Sequence, residues 1–341
     1  MNEVLVLMKA MPPTVGHRRL IEFAKQLGFV TVLIDTKRDE PMIDERVKAV
    51  GEMLGSGGIV HHVWIEIQDP QDDSFWNAWD DALEFCRGRM TYVVASEPYG
   101  AEVAKRVGAR FLPYDPKREL CNTHAENIRL NPNFHWNEID PSFQPYLRTT
   151  VTLWGAESTG KTTLSKMLAS KNWGFDTNWL YEYARPYLET VGPEITIPKM
   201  EDIWHGQAAV QRQFHLLPSK SPVLIQDTDL FSTVGYWDQP HWAKELGTAP
   251  FALCEEAVEL KSDLYIITPS NIPFEQDEIR YGDGVRESPD EYWINLAKRA
   301  GLHYVVLQSD DLSERLEEAK IHIGMTMLEK LDRIKYDRKG F

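Results

Sequence analysis

One stretch constrains this chain more than any other: Gly155-Ala156-Glu157-Ser158-Thr159-Gly160-Lys161-Thr162, which matches G-x-x-x-x-G-K-[ST] at every position. The residues before it, Thr149–Trp154, are β-branched and apolar and read as a buried strand; those after it, Thr163–Ala169, repeat apolar residues at helical spacing. Strand, glycine loop and helix together form the context in which the pattern binds phosphate. Its glycines let backbone N–H groups close around phosphate oxygens, and the helix N-terminus adds partial positive charge. Lys161 is placed to reach the β- and γ-phosphates and the Thr162 hydroxyl to ligate Mg²⁺. Gly155, Glu157, Ser158, Thr159, Gly160 and the following Thr163 complete the expected cradle.

A length of 341 residues suits about two domains. The spacing of apolar runs predicts strands over Val4–Met8, Val30–Asp35, His62–Ile67 and Tyr92–Ala95, alternating with helices over Arg18–Leu27, Asp44–Leu54 and Trp76–Arg87. Residues 115–147, rich in Pro, Asn and His, read as a closing segment and linker. A second βα series follows, with strands over Thr149–Trp154, Trp179–Glu182, Val223–Asp227, Leu264–Thr268 and His303–Leu307. The expectation is an α/β chain of two doubly wound parallel-sheet domains, residues 1–147 and 148–341.

Charge and composition narrow the setting. A net charge of −15 disfavours broad nucleic-acid binding, and no apolar run approaches the length that spans a bilayer. Three distant cysteines form neither a disulfide framework nor a zinc pattern, and the N-terminus lacks a basic leader, so a cytoplasmic location is expected. The sequence leaves the oligomeric state open, self-association included.

Partners of the loop refine its chemistry. Glu182, after an apolar run, can accept the proton of an acceptor hydroxyl, or it can pair with Arg185. Asp227 ends the apolar run PVLIQD, a position that faces Mg²⁺ or substrate in such folds. Asp229 is a candidate for a ribose contact or for a helix cap. In Phe274–Glu287, Arg280 and Arg286 are placed to stabilise a transferring phosphoryl group from a closing segment. Tyr183, Trp204 and Trp237 are candidates to face a base.

The first half carries a second turn of interest, Met8-Lys9-Ala10-Met11-Pro12-Pro13-Thr14-Val15-Gly16-His17. Its T-x-G-H ending resembles the nucleotidyltransferase signature. Gly16 admits a ligand close to the backbone, and His17 at a helix start can donate to a triphosphate oxygen and to a leaving pyrophosphate.

Taken in order, these motifs resemble the NadR family, which joins a nicotinamide mononucleotide adenylyltransferase to a ribosylnicotinamide kinase. The resemblance rests on the turn with Lys9, Pro12, Gly16 and His17; on Asp44-Glu45-Arg46; on Phe75-Trp76-Asn77-Ala78-Trp79; on Ala95-Ser96-Glu97-Pro98; and on Asn127-Ile128-Arg129. In the second half it rests on GAESTGKTT, Glu182-Tyr183-Ala184-Arg185, His205-Gly206-Gln207, Asp227-Thr228-Asp229 and Glu275–Arg280. It implies ATP and Mg²⁺ as cofactors, with nicotinamide riboside and its mononucleotide as small-molecule substrates. It implies catalytic roles for His17, Lys161, Glu182, Asp227 and Arg280. Lys9, Thr14, Gly16, Arg129 and Arg286 are then expected on ATP, and Arg46, Trp79, Tyr183, Arg185 and Asp229 on the substrate. No helix-turn-helix repressor segment is expected before the first strand. Two departures stand out: Met8 replaces the glycine that usually opens the turn, and His124 and Glu126 occupy positions that usually carry hydroxyls. They leave open a second reading, a kinase with a degenerate first domain.

Overall fold

Five apolar segments of the first unit pair as a wholly parallel sheet: β1 (Glu3–Met8), β2 (Phe29–Thr36), β3 (Gly58–Trp64), β4 (Tyr92–Ala95) and β5 (Arg110–Pro113), in the order β3-β2-β1-β4-β5. The unit comprises Met1–Leu147 with Leu331–Phe341; a second unit comprises Arg148–Lys330. The structure is a computed structural model describing residues 2–67, 72, 74–170, 177–217, 219, 221–275 and 288–335. Arg280 and Arg286 lie outside the described residues.

Central strands of such a sheet are covered on both faces, so they read as continuous apolar runs. In β1, Val4, Leu5, Val6, Leu7 and Met8 are all buried. Val4 and Val6 face one core, with Leu20, Ile21 and Ala24 of the helix Val15–Lys25. Leu5 and Leu7 face the other, with Leu83 and Trp79 of the helix Phe75–Leu83. Strand β3 begins four residues before the expected His62, because Gly58 already pairs with Val30. A Cβ there would stand 2.1 Å from the Val30 carbonyl oxygen, so only glycine fits this edge. The sequence reading left residues 96–114 unassigned; they form the helix Tyr99–Val107 and the short β5.

The second unit repeats the layering with β6 (Thr149–Trp154), β7 (Asn178–Leu180), β8 (Val223–Asp227), β9 (Leu264–Ile267) and β10 (Tyr304–Val306), all parallel in the order β10-β9-β6-β8-β7. Every residue of β6 is buried. Because β6 is central, its C-terminal end and the ends of β8 and β9 deliver their loops to one edge of the sheet. Ligands of open parallel sheets bind at this edge. Among the described residues, no helix is long and apolar enough to cross a membrane.

One buried ion pair ties the first unit's helix Val15–Lys25 to the segment that follows residue 138. Arg18 donates through Nε and Nη2 to both oxygens of Asp140, at 2.7 and 2.6 Å, and Asp140 also accepts from the Ser142 backbone. Asp140 has no exposure. Arg18→Ala leaves that carboxylate buried without its cation, and we expect a loss of about 3 kcal/mol in a denaturant titration.

Candidate active site

The phosphate loop bends by means of backbone conformations that its residues supply. Gly155 has φ +131°, and a Cβ there would lie 2.9 Å from the Thr268 carbonyl oxygen. Ser158 takes φ +56° and Gly160 φ +84° at the start of the helix Lys161–Ala169. Thr159 pins the loop to the end of β9: its hydroxyl meets that of Thr268 at 2.7 Å. The buried Arg315 guanidinium donates to the Thr159 carbonyl at 2.8 Å and to the Pro269 carbonyl at 3.1 Å. The sequence reading missed Arg315, which lies more than 150 positions from the loop it braces.

Lys161 is buried and donates through Nζ to the carbonyls of Gly155 and Ala156, at 3.0 and 2.6 Å. The Thr162 hydroxyl lies beside the Asp227 carboxylate. Burial raises the Asp227 carboxyl above its ordinary range, opposed by the nearby Thr162 hydroxyl and by the charges of Lys161 and Arg185. Among the described residues Asp227 Oδ1 has no hydrogen-bond partner although it is buried. A buried carboxylate oxygen without a donor among the described residues, set beside the loop threonine, fits a divalent cation. Mg²⁺ needs only one or two protein ligands beside phosphate and water.

A cavity of about 440 Å³ opens beside the loop, lined by Lys161, Thr162, Glu182, Arg185, Gln207 and Trp242 among others. Glu182 stands on the turn after β7, which ends at Leu180, two residues before the expected end. The turn leads into the helix Ala184–Val191, so Arg185 comes from that helix's first turn and reaches Glu189 at 3.9 Å. Glu275, in the segment Phe274–Glu287, donates its backbone N–H to Ser158 Oγ at 2.7 Å.

Three residues expected on the substrate take other places. Asp229 is buried and caps the helix Leu230–Trp237: it accepts from the Ser232 N–H at 3.2 Å and from the Tyr265 hydroxyl at 2.6 Å. Burial pushes its pKa to about 6, against those hydrogen bonds. The carboxylate is thus committed to the helix end and Tyr265, and at 1% exposure it is closed to solvent. Trp237 and Trp204 belong to the second unit's core, and Trp204 stacks on His205. Large apolar rings gain most from burial, and these two sit on helix faces turned inward. Among the described residues, the aromatic side chains lining the cavity are Tyr236 and Trp242. Tyr183 seats its ring on the backbone of Gly206, where a Cβ would come within 2.0 Å of it.

In the first unit Thr14 caps the helix Val15–Lys25, and His17 returns the contact. His17 Nδ1 accepts from the Thr14 backbone N–H at 3.0 Å and lies 2.8 Å from its hydroxyl. Nδ1 is thus unprotonated, and the neutral ring carries its proton on Nε2. Desolvation lowers the His17 pKa to about 4, with Asp140 opposing and Arg118 and Arg46 reinforcing the shift. We expect histidine NMR to show one Nε2–H tautomer with a midpoint near 4. A group lowered in this way supports folding fully above pH 6.5, and its contribution is lost as pH falls toward 4.

Around that turn Arg129 donates to the Met11 carbonyl at 2.6 Å. Gly16 faces Thr123 and Cys121: a Cβ there would lie 3.6 Å from each. Lys9 lies 3.4 Å from Glu40 and 3.9 Å from Asp35. Arg46 is buried rather than open to a substrate: it pairs with Glu40 at 3.0 Å and donates to the carbonyls of Lys9 and Ala10. Trp79 is a core residue beneath β1 and β4. Glu40 has no distinguishing local pattern, and the sequence reading did not single it out. His124 and Glu126 are both exposed.

The second unit is by these features a parallel α/β phosphate-loop domain, preceded in the chain by a second parallel-sheet unit. A family model described as an AAA domain matches residues 150–315. Two relatives named trifunctional NAD biosynthesis/regulator protein NadR, from Salmonella typhimurium (strain LT2) and Escherichia coli (strain K12), are each 24% identical over 251 residues. The match covers 70% of this chain and 59% of each relative, so the chain spans under two thirds of their length. A crystal structure of NadR protein in complex with NAD and AMP-PNP aligns with a TM-score of 0.64 at 21% identity, covering 100% of this chain and 98% of that one. One in complex with NR aligns at 0.63 and 20% identity, covering 99% and 98%. The chain thus resembles NadR proteins in sequence over 70% of its length and shares its fold with the NadR crystal structures over nearly all of it.

Proposed function

We propose that the second unit, residues 148–330 with the helix that ends near Asp332, is a kinase transferring the γ-phosphoryl group of ATP to the 5′-hydroxyl of nicotinamide riboside. One observation carries the reading: the phosphate loop, Lys161, Thr162 and Glu182 line the same cavity, with the Asp227 carboxylate beside Thr162. The hydroxyl oxygen attacks the γ-phosphorus as the bond to the bridging oxygen of ADP breaks, and Glu182 takes the hydroxyl proton. Thr162 and the Asp227 oxygen that has no partner among the described residues would hold Mg²⁺, which would supply charge neutralisation on the phosphates. The loop amides and Lys161 position the triphosphate, and Arg185 adds positive charge beside the cavity.

In the same proposal the first unit, a Rossmann-like nucleotidyltransferase, joins the mononucleotide to AMP. A phosphate oxygen of the mononucleotide attacks the α-phosphorus of ATP and pyrophosphate leaves, giving NAD without a covalent enzyme intermediate. The neutral His17 with its proton on Nε2 supports this as a donor to the departing phosphates. Thr123, buried against Gly16, offers a hydroxyl one position before the substituted His124, while the exposed Glu126 keeps its charge in solvent. One observation favours the alternative, a kinase with a nucleotide-binding but inactive first unit. Lys9 and Arg46, two cations expected at this site, are already engaged by Glu40.

Incubation of the purified protein with nicotinamide riboside, ATP and Mg²⁺, with products resolved by chromatography, separates these readings. Mononucleotide together with NAD supports both activities. Mononucleotide alone supports the kinase reading. Unconsumed ATP and riboside would overturn the proposal.

A further inference from the structure

Two glutamines stand one turn apart on the helix Ile197–Leu216, Gln207 and Gln211, and both are buried. They differ in how their amides are spent. Gln211 is paired at both ends: its Oε1 accepts from the Leu230 N–H at 3.0 Å and its Nε2 donates to the Leu260 carbonyl at 3.4 Å. Gln207 is paired at one end. Its Oε1 accepts from the Tyr183 backbone N–H at 3.0 Å, while its Nε2 has no partner among the described residues. Gln207 is 2% exposed, yet it lines the cavity beside Glu182 and the phosphate loop.

The orientation of this amide is settled by chemistry. A backbone N–H can only donate, so the end of Gln207 that meets Tyr183 must be its oxygen. The NH₂ group is the end left over. A buried amide nitrogen without an acceptor is costly, so a buried orphan at a cavity wall calls for a partner that arrives with a ligand. The same helix also fixes the turn that carries Glu182. Gly206 gives the Tyr183 ring its seat, and Gln207 Oε1 holds the Tyr183 N–H next to Glu182.

The geometry points to Gln207 as a specificity-determining residue for the phosphoryl acceptor: its Nε2 donates to a hydrogen-bond-accepting oxygen of the nucleoside in the cavity, while its Oε1 anchors the turn of Glu182. This inference rests on the kinase reading above. The shared chemistry is an acceptor oxygen, and a nucleoside offers two sources, the carboxamide of the base and the hydroxyls of the ribose.

The test is equilibrium binding, read by tryptophan fluorescence, for the full chain and for Gln207→Met, with MgATP binding measured alongside. The ligands are nicotinamide riboside, the pyridine riboside lacking the carboxamide, and the 2′- and 3′-deoxy analogues. Gln207→Met is expected to weaken nicotinamide riboside at least about tenfold and to leave MgATP unchanged. For the analogue that lacks the recognised oxygen, variant and parent are expected to bind alike, which names the source. Gln207→Glu keeps an acceptor for the Tyr183 N–H and is expected to restore any loss in kcat that Gln207→Met shows. If Gln207→Met does not fold, Gln207→Glu takes its place in the same comparison. Equal affinities for variant and parent, or one uniform loss across every nucleoside, would overturn the inference and leave the kinase reading standing. A parent protein that binds MgATP and no nucleoside would overturn the kinase reading itself, and the role of Gln207 with it.

Discussion

Lys161→Ala is expected to reduce phosphorylation of nicotinamide riboside by about 10²–10³-fold, while NAD formation from supplied mononucleotide continues at the parent rate. Lys161 Nζ now rests on the carbonyls of Gly155 and Ala156, two acceptors of the loop itself. Those contacts are what a triphosphate replaces: the ammonium exchanges two neutral acceptors for anionic ones, and the bond strengthens. Alanine removes the cation where negative charge gathers during transfer, so the loss falls on kcat. It also removes two hydrogen bonds within the loop. Binding of MgATP, followed separately, should therefore weaken by a smaller factor than turnover.

His17→Ala gives the opposite pattern: adenylyl transfer falls by about 10²–10³-fold and phosphorylation of the riboside is unchanged. The imidazole is held by Thr14 through both its backbone N–H and its hydroxyl, so its Nε2–H is presented in a fixed direction. With a pKa near 4 it stays neutral across the physiological range. On the proposed role it donates a hydrogen bond that does not titrate near pH 6.5, and the pH profile of NAD formation should show no acidic limb there. Measuring both products for both variants checks the pair. Loss of both activities in each variant would contradict separate sites.

Much of this arrangement is legible in the sequence, because it depends on short-range pattern. The strand, loop and helix around Gly155–Thr162 announce themselves through apolar runs and glycine spacing, and the same grammar marks β1 before Gly16-His17. What escapes is set by pairings distant in sequence. Strand β3 starts early because of its register with Val30. Short β5 has four residues and too little pattern to declare itself. Among site residues, Asp229 and Asp227 are two positions apart and equally acidic, yet one caps a helix and the other faces the loop threonine. Only the turn after β8 separates them. Arg46 illustrates the same point in the first unit: its destination depends on Glu40, buried at its side. Gln207 and Arg315 went unassigned for a related reason, since a lone glutamine or arginine on an amphipathic helix has no local signature of its role.

The central claim is that MgATP sits on the main-chain amides of the loop 155–162, with the acceptor's hydroxyl facing its terminal phosphorus. The most direct measurement is a crystal structure of the protein soaked with Mg²⁺ and AMP-PNP. The account predicts triphosphate density inside the loop, with Lys161 Nζ moved from the Gly155 and Ala156 carbonyls onto phosphate oxygens and the cation between Thr162 and Asp227. Nucleotide bound elsewhere, with Lys161 still on those two carbonyls, would contradict it.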